Sequence, residues 1–176
     1  MIDTHTHLFA SEFNSDREQV VQRAIASGVK EMILPNININ TIQSMMDLCA
    51  DFPKNCYPMI GLHPCDVKEN YLDELNTIKK WLKKGGFVGV GEIGIDLYWN
   101  KNTLDIQLKA FKKQIELAKE YKLPIAIHVR DSFKEVFEVI DKLNDENLKG
   151  VFHCFTGDLS QAKHIINYGD FKLGVG

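Results

Sequence analysis

A chain of 176 residues, 44% of them hydrophobic and 26% charged, is long enough to bury a core without disulfides. Its formal net charge of −3 argues against broad electrostatic attraction to nucleic acid, but a phosphate substrate stays open where bound metal ions supply local positive charge. No apolar run reaches bilayer length, no basic leader precedes the first residues, and the four cysteines are unevenly spaced, so a cytoplasmic protein with reduced thiols and no membrane partner is expected.

The chain opens on a strand over residues 1–7, whose alternation puts Asp3, His5 and His7 on one face. Two imidazoles two residues apart on a strand can reach one divalent ion, and Asp3 can hold a ring N–H behind them. Ser15 and Glu18 read as a capping box for a helix carrying Val20, Val21, Ala24 and Ile25 up to Gly28. A short buried strand over 31–35 follows, then a helix capped by Asn40 with Ile42, Met45, Met46 and Cys49 at helical spacing. The third strand runs over 56–63 and stops at Pro64; the next helix carries Leu72, Leu75, Ile78, Trp81 and Leu82 and stops at Gly85 and Gly86.

A glycine-rich fourth strand covers 87–93. From Thr103 a longer helix sets Ile106, Phe111, Ile115 and Ala118 on one side. The fifth strand covers 124–129, followed by a helix capped by Asp131 with Val136, Phe137 and Ile140. The sixth covers 151–155, followed by a helix capped by Asp158 with Ala162, Ile165 and Ile166. A seventh begins at Phe171. Mostly apolar strands in strict alternation with helices predict an α/β fold with a parallel sheet, and no linker or low-complexity stretch divides residues 1–176, which read as a single domain. Periodicity alone does not separate an open doubly wound sheet from a closed barrel.

The histidines favour the barrel. Five of the six lie at or near the C-terminal ends of predicted strands: His5, His7, His63, His128 and His153; Glu92 sits at the same level on the fourth strand, and only His164 falls inside a helix, as a structural or surface residue. That end is the rim on which barrel active sites are built from several strands. Imidazoles with a carboxylate suit zinc, manganese or another divalent ion. Glu92 can bridge two ions, which at about 3.5–4 Å apart would clamp the attacking and leaving oxygens of a hydrolytic displacement.

Arg130 suits a phosphate fork or a salt bridge to Asp131 or Asp96. Asp96 can orient a ligand or a loop, and His63 can touch a substrate phosphate or make a structural hydrogen bond. Alternation points Cys154 into the core. Tyr98 and Trp99 can stack on a base, although loop packing is the simpler expectation. The GxGxxG spacing of Gly89, Gly91 and Gly94 reads as close strand packing rather than a phosphate loop, since Glu92 stands within it.

Five segments in order, Asp3-Thr4-His5-Thr6-His7, Gly61-Leu62-His63-Pro64, Gly91-Glu92-Ile93-Gly94-Ile95-Asp96, Ile127-His128-Val129-Arg130 and His153-Cys154-Phe155-Thr156-Gly157, resemble the TatD family of metal-dependent deoxyribonucleases across essentially the whole chain. The resemblance implies a (β/α)8 TIM barrel of the metal-dependent hydrolase type, incomplete here at about six to seven strands. It also implies one or two divalent ions (zinc, magnesium or manganese), with His5 and His7 on one ion, Glu92 bridging, and His128 and His153 on the second.

The implied activity is cleavage of DNA phosphodiester bonds, with 3′-to-5′ exonuclease action as its specific form. Glu92, His63 and Arg130 are the expected catalytic residues. The same scaffold suits hydrolysis of an amide, lactone or aminoacyl ester, or an inactive binding protein. The family's last metal-binding Asp follows an eighth strand that this sequence does not reach. A truncated chain, a weak ion site at His5 and His7, and self-association through the open barrel edge are therefore expected.

Overall fold

The computed structural model describes residues 1–176. Seven strands pair in chain order: β1 (Ile2–Asp3), β2 (Glu31–Pro35), β3 (Cys56–Ile60), β4 (Gly89–Asp96), β5 (Ile125–Arg130), β6 (Gly150–Phe152) and β7 (Phe171–Leu173). Every pairing is parallel. A doubly wound sheet reverses its strand order at a switch point; here the order never reverses, and the strands form the greater part of a barrel wall.

Between the strands lie α1 (Arg17–Ala26), α2 (Ile42–Asp51), α3 (Tyr71–Lys84), α4 (Leu104–Tyr121), α5 (Phe133–Leu143) and α6 (Leu159–Asn167). Their apolar stripes meet the outer face of the sheet. Met45, Ile78, Phe111, Ile140 and Ile165 are fully buried there with Leu34, Ile60, Val90 and Ile127 of the strands. Every residue of β4, the middle strand of the seven, is buried. No helix is long and apolar enough to cross a membrane.

Some local signals resolve differently from expectation. The first strand keeps its ladder only over Ile2–Asp3, although Thr6 N–H still donates to Ile33 O at 3.0 Å, so residues 4–7 continue the extended path. The Ser15 capping box does not form: α1 starts from Asp16 without a side-chain cap. Arg17 instead donates to the carbonyls of Leu8, Phe9 and Ala10, tying the segment after His7 to the helix start. Thr41 and Ser132, rather than Asn40 and Asp131, precede α2 and α5. Asp158 caps α6 as expected, in a reciprocal box with Gln161.

One departure from regularity positions the site. The β4–β5 register shifts between Val90 and Ile93. Across that interval Asn36, just after β2, takes the place of a ladder partner: its N–H donates to Gly91 O (2.9 Å) and its carbonyl accepts from Glu92 N–H (3.0 Å). A bulge of this kind re-aims the side chain it carries, and the carboxylate delivered is that of Glu92. Fully buried Asn36 also donates from Nδ2 to Gly61 O at 3.0 Å, two residues before His63.

Candidate metal centre

Four of the five histidines expected at strand ends, His5, His7, His63 and His128, converge on Glu92, whose side chain is almost wholly buried. One carboxylate oxygen, Oε2, faces His5 Nε2 at 3.0 Å and His7 Nε2 at 3.3 Å, and these two nitrogens are 3.2 Å apart. The other, Oε1, faces His128 Nδ1 at 2.8 Å and His63 Nε2 at 3.6 Å, with 3.2 Å between the two imidazoles. Two donor triads, His5/His7/Glu92 and His63/Glu92/His128, therefore share one carboxylate.

The tautomers follow from the hydrogen bonds on the far side of each ring. His7 Nδ1–H donates to Pro35 O at 3.0 Å, which leaves the Nε2 lone pair aimed at Glu92 and His5. His128 Nε2 lies 2.9 Å from Asp96 Oδ2, so its proton sits there and Nδ1 turns a lone pair toward Glu92. Lone pairs facing a carboxylate at these distances repel unless a cation, proton or metal, lies among them.

Ligand atoms each about 2.0–2.2 Å from one ion at ordinary coordination angles stand about 3 Å apart, which matches the first triad. His5, His7 and Glu92 thus fit a divalent ion, and His128 faces the other oxygen of the same carboxylate. His63 fits less well as a ligand: its Nδ1 accepts from Cys65 N–H at 3.1 Å, so its own proton lies on Nε2 and makes that atom a donor.

The charges agree with this geometry. Burial opposes ionisation of Glu92, but in the metal-free protein the imidazoles of His128, His5, His63 and His7, donating to it where protonated, prevail and hold its carboxyl far below the usual range. Burial likewise disfavours a charged His128, yet Glu92 and Asp96 overcome it and raise its pKa. Asp96 is held low, against its burial, by the backbone N–H of Trp99, by His128 and by the N–H of Tyr98.

His153 stands apart from the ligand set that the resemblance implies. Its ring stacks on that of His5, with centroids 3.3 Å apart, and it is His63 that joins His128 at Oε1. Burial and the neighbouring His5 lower the pKa of His153 to about 4, so it is a neutral imidazole at neutral pH. Asp3 does not hold a ring nitrogen; its Oδ1 accepts from the backbone N–H of His5 at 3.1 Å. His5 Nδ1 is buried with no partner. His164 lies on the surface of α6, bonded to Asp141.

Beyond the ligands, the surroundings correct three expectations. Cys154 is exposed rather than core, because β6 ends at Phe152 and alternation no longer applies. Arg130 forms no salt bridge with Asp96 or Asp131; its guanidinium lies over the Tyr98 ring at 3.8 Å. Tyr98 and Trp99 are exposed instead of packed into the loop.

Three positioning residues escaped the reading of the sequence. Gln107 and Gln114 lie buried on the apolar stripe of α4 and clamp backbone at strand ends. Gln107 accepts from Asp96 N–H (2.8 Å) and donates to Asp96 O (3.0 Å); Gln114 does the same at Leu62, at 2.7 and 3.1 Å. Asn36 is the third. A polar residue interrupting an apolar stripe at i and i+7 was the available signal.

A parallel half-barrel with a histidine–carboxylate cluster able to hold a metal ion at the C-terminal ends of its strands is the architecture of metal-dependent hydrolases of the TIM-barrel type. The family model described as "TatD related DNase" matches residues 2–176. The chain belongs to the TatD family.

It is 35% identical over 176 residues to the Bacillus subtilis (strain 168) protein named uncharacterized metal-dependent hydrolase YabD, covering all of this chain and 68% of the relative. It is 32% identical over 169 residues to the Salmonella typhimurium (strain LT2) protein named 3′-5′ ssDNA/RNA exonuclease TatD, covering 96% of this chain and 65% of that one. The crystal structure of the TatD homologue YjjV from Escherichia coli K12 superposes with a TM-score of 0.92 at 30% identity, over all of this chain and 68% of the other. The chain thus spans about two-thirds of the length of the relatives it matches. An uncharacterized amidohydrolase from Saccharomyces cerevisiae shares the fold, with a TM-score of 0.85 at 18% identity.

Proposed function

We propose that this protein, as a single domain, hydrolyses phosphodiester bonds of DNA with one or two divalent ions held about Glu92, as a 3′-to-5′ exonuclease acting on single strands. The observation that carries the reading is the convergence of imidazoles on both oxygens of one buried carboxylate, with His5, His7 and Glu92 at ion-binding spacing. The relatives named as single-strand exonucleases support the substrate class. Ions bound there would supply Lewis-acid charge at the phosphate and acidify an attacking water.

The chain's own residues divide the remaining work. His5, His7, Glu92 and His128 would hold the ions, and Asp96 fixes the His128 ring through Nε2. His63 presents Nε2–H toward the centre of the site, where it can donate to a phosphate oxygen. Arg130, free of any carboxylate partner, offers its guanidinium fork to a neighbouring phosphate. His153, neutral beside His5, is a further nitrogen available to an ion or a substrate oxygen.

The test is hydrolysis of end-labelled single-stranded DNA with magnesium, manganese or zinc, comparing the protein with Glu92→Ala. Cleavage that needs metal and disappears in the variant is expected. No cleavage by the unmodified protein with any of the three metals would overturn the nuclease reading and send the search to esters and amides.

The unpaired edges of β1 and β7 flank a cavity of about 580 Å³ whose lining includes Ile33, Met59, Val88 and Leu173, and we propose self-association across it. Sedimentation should find dimers or larger species; a monomer over the whole concentration range would contradict this.

A further inference from the structure

We propose that Tyr98, Trp99 and Arg130 form a stacking platform that seats an unpaired base of the substrate strand beside the metal centre. The inference rests on the nucleic-acid reading above and specifies how a strand is held.

Tyr98 is 54% exposed and Trp99 69% exposed, in a chain that buries most of its large apolar side chains. Two adjacent aromatic rings left in water at a strand end carry a cost that loop packing would have removed. They are nonetheless held firmly. Both backbone N–H groups donate to Asp96 Oδ1, at 3.0 and 3.1 Å, and the rings meet edge to face with centroids 4.9 Å apart. The Arg130 guanidinium lies 3.8 Å above the Tyr98 ring and 5.5 Å from that of Trp99. An aromatic and cationic surface fixed in advance is what sequence-tolerant recognition of unpaired bases uses, because every base has a π-face.

The platform is continuous with the chemistry. Tyr98 and Arg130 line a cavity of about 560 Å³ together with Asp131, Thr156, His128 and His153, while Trp99 lines a separate pocket with Asp96. That volume lies within the usual range of sites for small organic ligands. Asp96 joins the two halves, since Oδ1 holds the platform backbone while Oδ2 holds His128. Two residues lining the same cavity, Asp131 and Cys154, have positive φ (56° and 43°), a conformation uncommon for residues other than glycine. Arg130 forms no salt bridge although Asp131 lines the same cavity, so its guanidinium is available to a phosphate next to the stacked base. Bases inside a duplex have their faces covered by neighbours, so a platform of this kind selects single strands.

The test is equilibrium binding of a short phosphorothioate oligothymidylate, chosen to resist hydrolysis, in the presence of manganese. A matched abasic phosphorothioate strand of the same length reports phosphate contacts alone. Trp99→Ala is expected to weaken oligothymidylate binding roughly five- to one-hundredfold, the span of one base-stacking contact, with little change for the abasic strand. Trp99→Phe should restore most of the loss, and because Trp99 is exposed both variants should melt like the unmodified protein.

If Trp99→Ala and Tyr98→Ala bind oligothymidylate as tightly as the unmodified protein, the platform is overturned while phosphodiester hydrolysis stands. If the unmodified protein binds neither strand and cleaves no DNA, both readings fall together.

Discussion

Asp96 Oδ2 lies 2.9 Å from His128 Nε2, and through that contact a residue outside the donor triads decides which nitrogen of His128 faces Glu92. Asp96 is buried on β4, directly across the ladder from Arg130 of β5, and Gln107 clamps its backbone. Asp96→Asn keeps the shape but offers His128 an amide whose NH2 competes with the carbonyl for the same position. Outer partners of metal-bound histidines are worth about 10- to 100-fold in affinity or activity. Manganese titration by calorimetry should show weakening of that order in Asp96→Asn, and an unchanged isotherm would remove Asp96 from this role.

The charges about Glu92 give the metal-free protein a characteristic pH response. The Glu92 carboxyl is depressed when folded, so its contribution to stability is present above the ordinary carboxyl range and is lost as pH falls toward the depressed value. His128 is raised, so its contribution is complete below its ordinary value of 6.5 and is lost as pH rises through the raised one. In chelator, the melting temperature should therefore decline from mildly acidic to mildly alkaline pH. A divalent ion replaces the His128 proton, so metal stabilisation should grow over that same interval. A melting temperature in chelator that rises steadily to alkaline pH would contradict the arrangement.

Gln114 sits on the buried stripe of α4 and satisfies both the N–H and the carbonyl of Leu62, the residue before His63. Gln114→Leu suits the stripe by hydrophobicity but strands two buried backbone groups, at about 1–3 kcal/mol each. A clearly lower melting temperature is expected, together with a loss of hydrolysis larger than the residual unfolding explains, because His63 is left unanchored. Full activity at assay temperature would show that the clamp serves stability alone.

The parts of the site set by alternation were legible in the sequence, and the parts set by long-range backbone bonding were not. His5, His7, Glu92 and His128 declared themselves because a parallel strand brings its C-terminal end to a common rim, so chain order and residue type suffice. The partner of His128 depended on side-chain rotation beyond the strands. His63 and His153 both follow the last paired residue of their strands, and nothing local says which one turns toward Oε1. Asn36 was hidden for a similar reason: it acts where β4 shifts register, a feature that exists only once β2, β4 and β5 are assembled. The caps at Ser15 and Asp131 give way where Arg17 and Ser132 bond to Leu8 and Ile95, and next to Asn40 it is Thr41 whose hydroxyl bonds back to Asn36. Local capping energies of about 1 kcal/mol are easily outweighed by such bonds.

Gly94 is the position where packing of the sheet and placement of the metal centre coincide. It pairs with His128 across the β4–β5 ladder, and its φ of 145° lies where side chains are seldom tolerated. A methyl group built there would run into the His128 carbonyl oxygen and backbone, leaving no flexible atom to give way. Gly91, by comparison, would meet the Ala126 Cβ at 2.8 Å, a clash with an atom fixed to its strand but without the backbone strain of a positive φ. Gly94→Ala should therefore cost more than Gly91→Ala and act directly on the ligand strand, with strain of about 1–3 kcal/mol before any clash is counted. Thermal melts with and without manganese separate the two effects: Gly94→Ala should lower the metal-free melting temperature and also lose most of the metal-induced rise, because the displaced backbone carries His128 away from Glu92. A variant that melts lower but keeps the full metal-induced rise would show that Gly94 serves the fold without governing the site.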